Sequence, residues 1–335
     1  MKSIAVVILN WNGEKLLEQF LPSITTHSPE ATVYVADNAS TDGSIAFIKQ
    51  NYPEVKIIKN AGNYGFAKGY NEALKEVEEE VYALVNSDVE VTRGWLAPVI
   101  ELFEKDHETA IIQPKILDYK NKSHFEYAGA AGGFLDKYGF PFCRGRIIET
   151  VEEDKGQYDD ETEIFWASGA CIFIRKSVYR ELGGFDEDFF AHQEEIDLCW
   201  RAFNRNYKTW FCHSSVIYHV GGATLSNSSP RKTFLNFRNS LWMMLKNLPA
   251  GKLFPVIFIR QCMDGLAAAR FLFRGEFNHF WAVFKAHMWF YYKLFYFLKK
   301  RKGKKYNNYY KIKSIVYLYF IKKQMIFDKN FNNSL

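Results

Sequence analysis

Short apolar runs alternate with amphipathic helical patterns through the first third of this 335-residue chain. The runs span residues 4–9, 32–36, 55–58 and 81–85. Apolar side chains at helical spacing follow each run, as at Leu17, Leu21 and Ile24. Strands that alternate with helices at this interval predict βαβ units and a parallel sheet, so the expected class is α/β. The chain has no GxGxxG after its first run and no GxxxxGK[ST], which disfavours a dinucleotide-binding fold and a P-loop.

The fourth run, VYALVNSDVEV over residues 81–91, contains three successive polar residues: Asn86, Ser87 and Asp88. In α/β proteins, ligands bind at the carboxyl edge of the sheet, where strand ends and loops converge. A carboxylate at that edge can hold a divalent cation when phosphate oxygens and water complete the coordination. The alternative is that Asp88 only caps the turn that follows.

Polar residues also end the second run and open the helix after the third. Asp37 and Asn38 begin the segment DNASTDGS, where a carboxylate can accept hydrogen bonds from a base or a ribose hydroxyl. The same residue types equally well cap the following helix. Residues 63–71, NYGFAKGYN, open a helix with two glycines, and such an N-terminus favours an anion. A plain loop would use the same residues.

The run FFAHQEEIDLCWR over residues 189–201 places three carboxylates in four positions, at Glu194, Glu195 and Asp197. After an aromatic pair, such a cluster suits a general base. The helix dipole alone also favours acids in a first turn, and Asp197 with Arg201 forms an i,i+4 pair of structural type. The upstream segment WASGA, residues 166–170, could bring a backbone turn against the same site.

His219, in the segment YHVGG, ends the last strand predicted for the body of the protein. A strand end followed by two glycines favours a ligand role for this histidine. The alternative is a histidine whose hydrogen bonds are satisfied within the core.

Seven motifs follow one another across residues 8–222. They are ILNWNG, ADNASTDGS, NYGFAKGYN, LVNSDVEV, WASGACIFIRK, LGGFDEDFFAHQEEIDLCWR and YHVGG. As an ordered set they resemble the family 2 glycosyltransferases with the GT-A fold, especially the bacterial rhamnosyltransferase-like branch. The resemblance implies a mixed, mainly parallel sheet with helices on both faces. It also implies inverting transfer from a nucleotide-diphospho-sugar, a dTDP- or UDP-sugar such as dTDP-rhamnose, to a saccharide or polyprenyl-linked saccharide in cell-surface polysaccharide assembly.

Carried over by position, the resemblance also implies a role for each motif. Donor binding would involve Asn10, Trp11, Asp37, Asn38, Asn63, Gly65, Phe66, Asn71, Asn86 and Ser87. The pocket between donor and acceptor would be shaped by Trp166, Ser168 and Gly169. Asp88 and His219 would hold Mg²⁺ or Mn²⁺ on the diphosphate, and Glu195, with Glu194 beside it, would be the catalytic base.

The chain departs from the family pattern at two positions. The usual metal motif is Asp-x-Asp, whereas this chain has Asn86-Ser87-Asp88. The usual base is the Asp of a Glu-Asp pair, whereas this chain has Glu194-Glu195. These departures leave a second function open, namely a degenerate GT-A domain that binds a nucleotide-sugar or a membrane partner without turnover.

The net charge of +5 divides unevenly along the chain, with −13 on residues 1–230 and +18 on residues 231–335. We therefore expect a GT-A catalytic domain at 1–230 and a basic, aromatic-rich helical region at 231–335. Within the catalytic domain, the nucleotide-binding half is expected at about 1–117 and the acceptor half at about 118–230.

The basic region is expected to lie on an anionic membrane surface. It has no charge-free apolar stretch of the ~20 residues that a spanning helix needs. Aromatic faces with basic flanks suit a helix in the headgroup plane, and helices packed on the body are the alternative. The aromatics are clustered at helical spacing without a recognised nucleic-acid motif, so no nucleic-acid partner is expected. The expected location is cytoplasmic, at the inner face of the cell membrane, with reduced cysteines.

Overall fold

The computed structural model of the protein describes residues 3–221 and 229–328. The described residues form a nine-stranded sheet, a smaller four-stranded sheet and a set of helices. The strands of the large sheet are β1 (Ile4–Asn10), β2 (Thr32–Asp37), β3 (Lys56–Lys59), β4 (Val81–Asn86), β5 (Val89–Val91), β6 (Thr109–Asp118), β11 (Thr162–Ile164), β12 (Cys171–Arg175) and β13 (Lys208–His219). Those of the small sheet are β7 (Gly133–Leu135), β8 (Pro141–Cys143), β9 (Arg146–Ile147) and β10 (Thr150–Val151). The α-helices are α1 (Glu14–His27), α2 (Ser44–Asn51), α3 (Gly65–Ala73), α4 (Ala97–Lys105), α5 (Lys176–Leu182), α6 (Glu194–Phe203), α7 (Pro230–Asn247), α8 (Leu253–Phe273), α9 (Phe277–Tyr292), α10 (Leu294–Lys299) and α11 (Ile315–Phe320).

Four strands form a parallel half-sheet in the order β3-β2-β1-β4. Their register places Leu9 beside Asn86 and Asn10 beside Asp37. The carboxyl ends of β1, β2 and β4 therefore finish at one edge of the sheet. The βαβ units predicted from the alternating pattern are confirmed in this half.

The other half of the sheet is mixed. Strand β12 lies antiparallel to both β4 and β6, while β13 runs parallel to β6 and antiparallel to β5 and β11. The sequence pattern predicts two strands at 208–211 and 215–220, but the structure has the single strand β13. A register shift between Cys212 and Val216 interrupts the pairing of β13 with β6. This irregularity lies between the two segments that were predicted as separate strands.

Apolar side chains on both faces of the large sheet are buried. Ile4, Val6 and Ile8 of β1 join a core cluster that includes residues of α1 and α4. Ala5 and Val7 face the opposite side and join a second cluster, which includes residues of α3, α5 and α6. A continuous apolar run is the pattern expected of a strand covered on both faces.

The basic C-terminal region is built into the same core as the catalytic body. Helix α7 contributes Trp242, which stacks on Phe297 with ring centroids 4.3 Å apart. Tyr309 stacks on Trp200 of α6 at 4.9 Å. The change in composition near residue 230 therefore does not coincide with a gap in packing, and the predicted division into two functional regions stays a prediction.

Helices α8 and α9 present large apolar side chains to solvent. The exposed residues on α8 include Phe254, Phe258, Leu266 and Phe273, and those on α9 include Phe277, Trp281, Phe284, Met288 and Tyr292. The α9 residues are three or four positions apart, and the α8 residues are four, eight and seven positions apart. These intervals of about one or two turns place each set along one side of its helix. Within residues 3–221 and 229–328, no helix is both long and apolar enough to cross a membrane.

Candidate active site

Loops at the carboxyl edge of the parallel half-sheet are held together by buried amides. Asn10 is buried and donates through Nδ2 to Asp37 Oδ1 at 3.1 Å, while the backbone N–H of Ser40 donates to Asp37 Oδ2 at 2.9 Å. Asn38 donates to the carbonyl of Gly65 at 3.0 Å, which ties the end of β2 to the start of α3. Neither residue caps the helix that follows, because the N-cap residue of α2 is Gly43. Both side chains instead hold the loops at this edge of the sheet together. Trp11 follows Asn10 in the chain and is 50% exposed at the same edge of the sheet.

The loop before α3 requires glycine at Gly65. This residue has φ +71°, and a Cβ at its position would lie 2.7 Å from the ring of Phe190. Asn63 accepts a hydrogen bond from the backbone N–H of Gly65. The side-chain oxygen of Asn71 accepts hydrogen bonds from the hydroxyl of Tyr179 and from the backbone N–H of Phe185. Asn71 therefore anchors α3 to the segment that leads into α6.

Asp88 and His219 are adjacent, as the sequence predicts, and both are buried. His219 Nε2 lies 3.2 Å from Asp88 Oδ1, and the backbone N–H of Val220 donates to the carbonyl of Asp88. Asn86 and Ser87 precede this pair and are half-buried. Gly222 of the YHVGG motif lies outside the described residues.

Glu126 completes this buried cluster, and no sequence motif identifies it. Its Oε1 lies 3.4 Å from His219 Nδ1. Burial would lower the pKa of His219, but the carboxylates of Asp88 and Glu126 outweigh burial and raise it to about 10. Within the described residues, no group of three or more His, Cys, Asp or Glu side chains is arranged to hold a metal ion.

The segment before α6 has a strained backbone. Phe190, His192 and Gln193 all have φ between +65° and +72°, a region that non-glycine residues rarely occupy. Strained backbone of this kind concentrates at functional sites, where the surrounding structure must fix it. Here it delivers Glu194 and Glu195 to the first turn of α6.

Both glutamates keep a buried carboxylate oxygen without a hydrogen-bond partner among the described residues. Burial and the charge of Glu195 raise the pKa of Glu194. Burial likewise raises the pKa of Glu195 to about 7, against backbone hydrogen bonds that lower it. Glu194 is 4% exposed, whereas Glu195 is half-buried and so is the more accessible of the two.

The WASGA segment reaches this helix start, but its three predicted pocket residues differ in placement. A Cβ at Gly169 would lie 3.9 Å from Glu195 Cγ and 3.4 Å from the ring of Phe66, so this backbone faces the glutamate. Trp166 is buried and donates to the carbonyl of Phe134. Ser168 is also buried and accepts a hydrogen bond from the backbone of Ala170. Gly169 therefore lines the site, and the other two support it.

A buried amide on α7 holds the strained segment. Asn239 donates through Nδ2 to the backbone carbonyls of Phe189, Ala191 and His192, at distances of 3.0, 2.9 and 2.7 Å. Arg238 donates to Asn239 Oδ1 at 2.9 Å, which fixes the orientation of the amide. The sequence gives no local signal for this contact, because Asn239 lies about 47 residues beyond the loop it supports.

Comparisons with known proteins agree with this architecture. Residues 5–183 match the family model described as glycosyl transferase family 2. The chain is 24% identical over 232 residues to an N-acetylglucosaminyl-diphospho-decaprenol L-rhamnosyltransferase of Mycobacterium tuberculosis, covering 64% of this chain and 75% of that protein. It is 25% identical over 205 residues to the rhamnosyltransferase WbbL of Escherichia coli, covering 59% and 76%.

Solved structures show the same fold at low identity. A mannosyltransferase of Pyrobaculum calidifontis in complex with GDP-Man and Mn²⁺ has a TM-score of 0.54, 14% identity and 86% coverage of both chains. GalNAc-T7 with UDP, GalNAc and Mn²⁺ has a TM-score of 0.58 and 16% identity, covering 75% of this chain. The chain spans about half, 49%, of the GalNAc-T7 chain. The fold is thus GT-A, as the resemblance implied.

We predict that Asn239→Ala loosens the segment before α6. The substitution leaves the carbonyls of Ala191 and His192 buried without their donor, so the free energy of unfolding should fall by about 1–3 kcal/mol. Hydrogen exchange at the amides of residues 189–195 should accelerate more than elsewhere. The control is Asn236→Ala, one turn earlier on α7. Equal exchange in the two variants would contradict the role given to Asn239.

Proposed function

Because the chain belongs to glycosyl transferase family 2 and is an enzyme of the hexosyltransferase type, we propose that it transfers a sugar with inversion from a nucleotide-diphospho-sugar to a saccharide hydroxyl. The observation that carries this proposal is the position of Glu195. A carboxylate with a raised pKa and an unpartnered oxygen stands at a helix start, beside the open backbone of Gly169. That arrangement suits a general base.

We assign the base to Glu195 and a supporting role to Glu194. In its ionised form, Glu195 takes the proton from the acceptor hydroxyl as that oxygen attacks the anomeric carbon. The bond to the donor diphosphate breaks on the opposite side, which inverts the centre. Glu194 is more deeply buried, and burial together with the charge of Glu195 raises its pKa, which favours its neutral form.

We predict that Glu195→Gln lowers kcat by about 100- to 10,000-fold, because the amide cannot accept the proton. The binding constant of the donor should change little. In the wild type, kcat/KM should rise with pH up to about 7, where Glu195 ionises, and then level off. Glu195→Asp keeps a carboxylate and should retain more activity than the amide. Turnover lost in Glu194→Gln but kept in Glu195→Gln would overturn the assignment.

The ionisation of Glu195 also predicts how the stability of the fold depends on pH. The pKa of Glu195 is raised from 4.5 to about 7 in the folded state, so this residue stabilises the fold below pH 4.5 and loses that contribution as the pH rises through 7. The stability of Glu195→Gln should therefore decline less between pH 4.5 and 7 than that of the wild type.

Asp88 and His219 would hold a divalent cation, Mg²⁺ or Mn²⁺, on the donor diphosphate. Their facing atoms are 3.2 Å apart, and adjacent ligands of an octahedral ion with bonds of about 2.1 Å lie about 3.0 Å apart. Glu126 behind His219 Nδ1 supplies the carboxylate that commonly orients a metal-binding histidine. When bound, the cation would offset the charge that develops on the leaving diphosphate.

We predict that Asp88→Ala weakens Mn²⁺ binding at least about tenfold, because one of two protein ligands is lost. The measurement is the Mn²⁺-dependent rise in melting temperature in the presence of UDP or dTDP. Glu90→Gln, two residues further on, is the control and should behave as the wild type. An unchanged Mn²⁺ dependence in Asp88→Ala would remove Asp88 from the metal site.

We propose the donor and the acceptor from the names of two relatives. The M. tuberculosis relative is named for L-rhamnosyl transfer to a decaprenol-linked diphosphate sugar, and WbbL is named as a rhamnosyltransferase. We propose a dTDP- or UDP-sugar as donor, with dTDP-rhamnose the first to test. Asn10, Asp37 and the loop around Phe66 would surround the nucleotide. The acceptor would be a polyprenyl-linked saccharide of the cell envelope.

We also propose that α8 and α9 rest on an anionic membrane surface. Each helix exposes a stripe of aromatic and aliphatic side chains, among them Phe273 at 88% and Tyr292 at 79% exposure. Large exposed apolar patches of this kind mark interaction surfaces. Arg270 on α8 and Lys285 on α9 add positive charge to these helices, which favours anionic headgroups. A lipid-linked acceptor would be reached from such a surface.

We predict that Trp281→Ser reduces the fraction of protein that floats with vesicles containing anionic lipid, because it removes a 53%-exposed indole from the α9 stripe. Tyr127→Ser is the control, since Tyr127 is 52% exposed but lies on the catalytic body. Flotation should also fall when the vesicles contain only phosphatidylcholine. Absence of flotation by the wild type would contradict membrane contact.

A further inference from the structure

A cleft of about 780 Å³ lies between the catalytic body and the C-terminal region, at the far end of α6 from Glu195. Its body side includes Arg201 and its α7 side includes Lys246. The segment that follows α10 contributes Lys302, Lys304 and Lys305. Cationic side chains in the lining outnumber carboxylates by eight to three.

Two of the three carboxylates in the cleft, those of Asp186 and Asp188, are paired with lysines. Asp186 accepts from Lys246 at 2.7 Å and from Lys300 at 2.6 Å. Asp188 pairs with Lys293 at 2.9 Å and with Lys300 at 2.5 Å.

Arg201 and Arg205 are paired with Asp197 and Glu181. Four lysines of the lining form no ion pair among the described residues, against one such carboxylate, Glu187; they are Lys68, Lys302, Lys304 and Lys305.

Lys302 and Lys305 make no ion pair or hydrogen bond through their ammonium groups within residues 3–221 and 229–328. Lys302 is exposed and Lys305 is half-buried. Burial and the nearby charge of Arg301 lower the pKa of Lys305 to about 8. These surroundings destabilise the charged form of Lys305, and a bound anion would stabilise that form.

We propose that this cleft binds a phosphate-bearing anion, either the headgroup of a lipid or a soluble polyphosphate. Several clustered ammonium groups suit a compact ligand with multiple charges better than a single carboxylate. The cleft lies toward the end of α6 that carries Arg201, away from Glu194 and Glu195, and Lys68 and Asn71 of α3 also line it.

The position of the cleft favours a lipid headgroup as the source. Tyr296 lines the cleft and is 48% exposed, and its neighbour Phe295 is 76% exposed on α10. Aromatic surface is thus continuous with the basic lining, as expected where headgroups meet a membrane-facing helix. The lipid source rests on the proposed membrane contact, whereas the anion site itself does not depend on sugar transfer or on membranes.

The first experiment measures pyrophosphate binding by calorimetry. Wild-type protein should bind pyrophosphate, and Lys302→Ala/Lys305→Met should bind it at least about tenfold more weakly, because two charged donors are lost. Lys313→Ala/Lys322→Met removes the same charge from exposed lysines outside the cleft and should match the wild type. Equal binding by all three proteins, or no binding by the wild type, would overturn the proposal.

Melting temperatures show that the variant is folded and test the same site in a second way. Without pyrophosphate, Lys305→Met should melt at or above the temperature of the wild type, since an unpaired half-buried charge is removed. With pyrophosphate and no divalent cation, the proteins that retain the cleft lysines should gain more stability than the cleft variant. A variant that loses stability without ligand yet gains as much as the wild type from pyrophosphate would contradict the proposal.

The second experiment separates the two sources of phosphate. Flotation is compared for phosphatidylcholine vesicles with and without phosphatidic acid, using the three proteins above. If the cleft variant alone loses flotation on vesicles with phosphatidic acid, the source is a lipid headgroup. If all three proteins float equally but the cleft variant binds pyrophosphate more weakly, the source is a soluble polyphosphate. Because neither measurement uses a sugar donor, failure here leaves the proposed transferase activity untouched, and failure of transfer leaves this site untouched.

Discussion

Helix α6 depends on one buried carboxylate, that of Asp197, which has no solvent-exposed surface. It accepts hydrogen bonds from Arg201 at 2.8 Å, Lys246 at 2.8 Å and Asn247 at 2.8 Å. An isolated charge at this depth would be strongly unfavourable, so these partners are obligatory. Burial would raise the pKa of Asp197, but Lys246 and Arg201 outweigh it and lower the pKa to about 2. Because two of the partners come from α7, the C-terminal region fixes the helix that carries Glu195.

Three carboxylates within four residues thus have different chemistry, and their surroundings decide it. Asp197 is surrounded by cations and stays ionised through any ordinary pH. Glu194 and Glu195 occupy the first turn of the same helix without a cationic partner of this kind, and burial raises the pKa of each. The helix dipole favours all three, so it cannot distinguish them. Divergent pKa values among neighbouring acids are the usual mark of an acid–base site, and here the pairing of Asp197 leaves the glutamates free to take up protons.

Sequence reasoning worked where the signal is local and failed where it is not. The apolar runs predicted β1, β2 and β4 because strands buried on both faces are apolar throughout. The polar strand end and the histidine led to Asp88 and His219, whose side chains do meet. Glu126 and Asn239 escaped prediction because each acts on residues that lie far from it in the chain, and such contacts leave no periodic pattern. Trp166 and Ser168 lie close to the site in the chain, yet their polar atoms are used in the supporting structure.

The strongly basic composition of the C-terminal region conceals two kinds of cation. Lys246 is buried and pairs with Asp186 and Asp197. Arg260 is buried and pairs with Asp264. Such buried pairs specify packing more than they attract a binding partner. Lys302 and Lys305 lack protein partners in the described structure and therefore set the local potential. Total charge alone cannot separate these two sets, because both contribute equally to the +18. A surface that recognises anions is defined by the cations that folding leaves unpaired, and Lys302 and Lys305 are such cations gathered at one cleft.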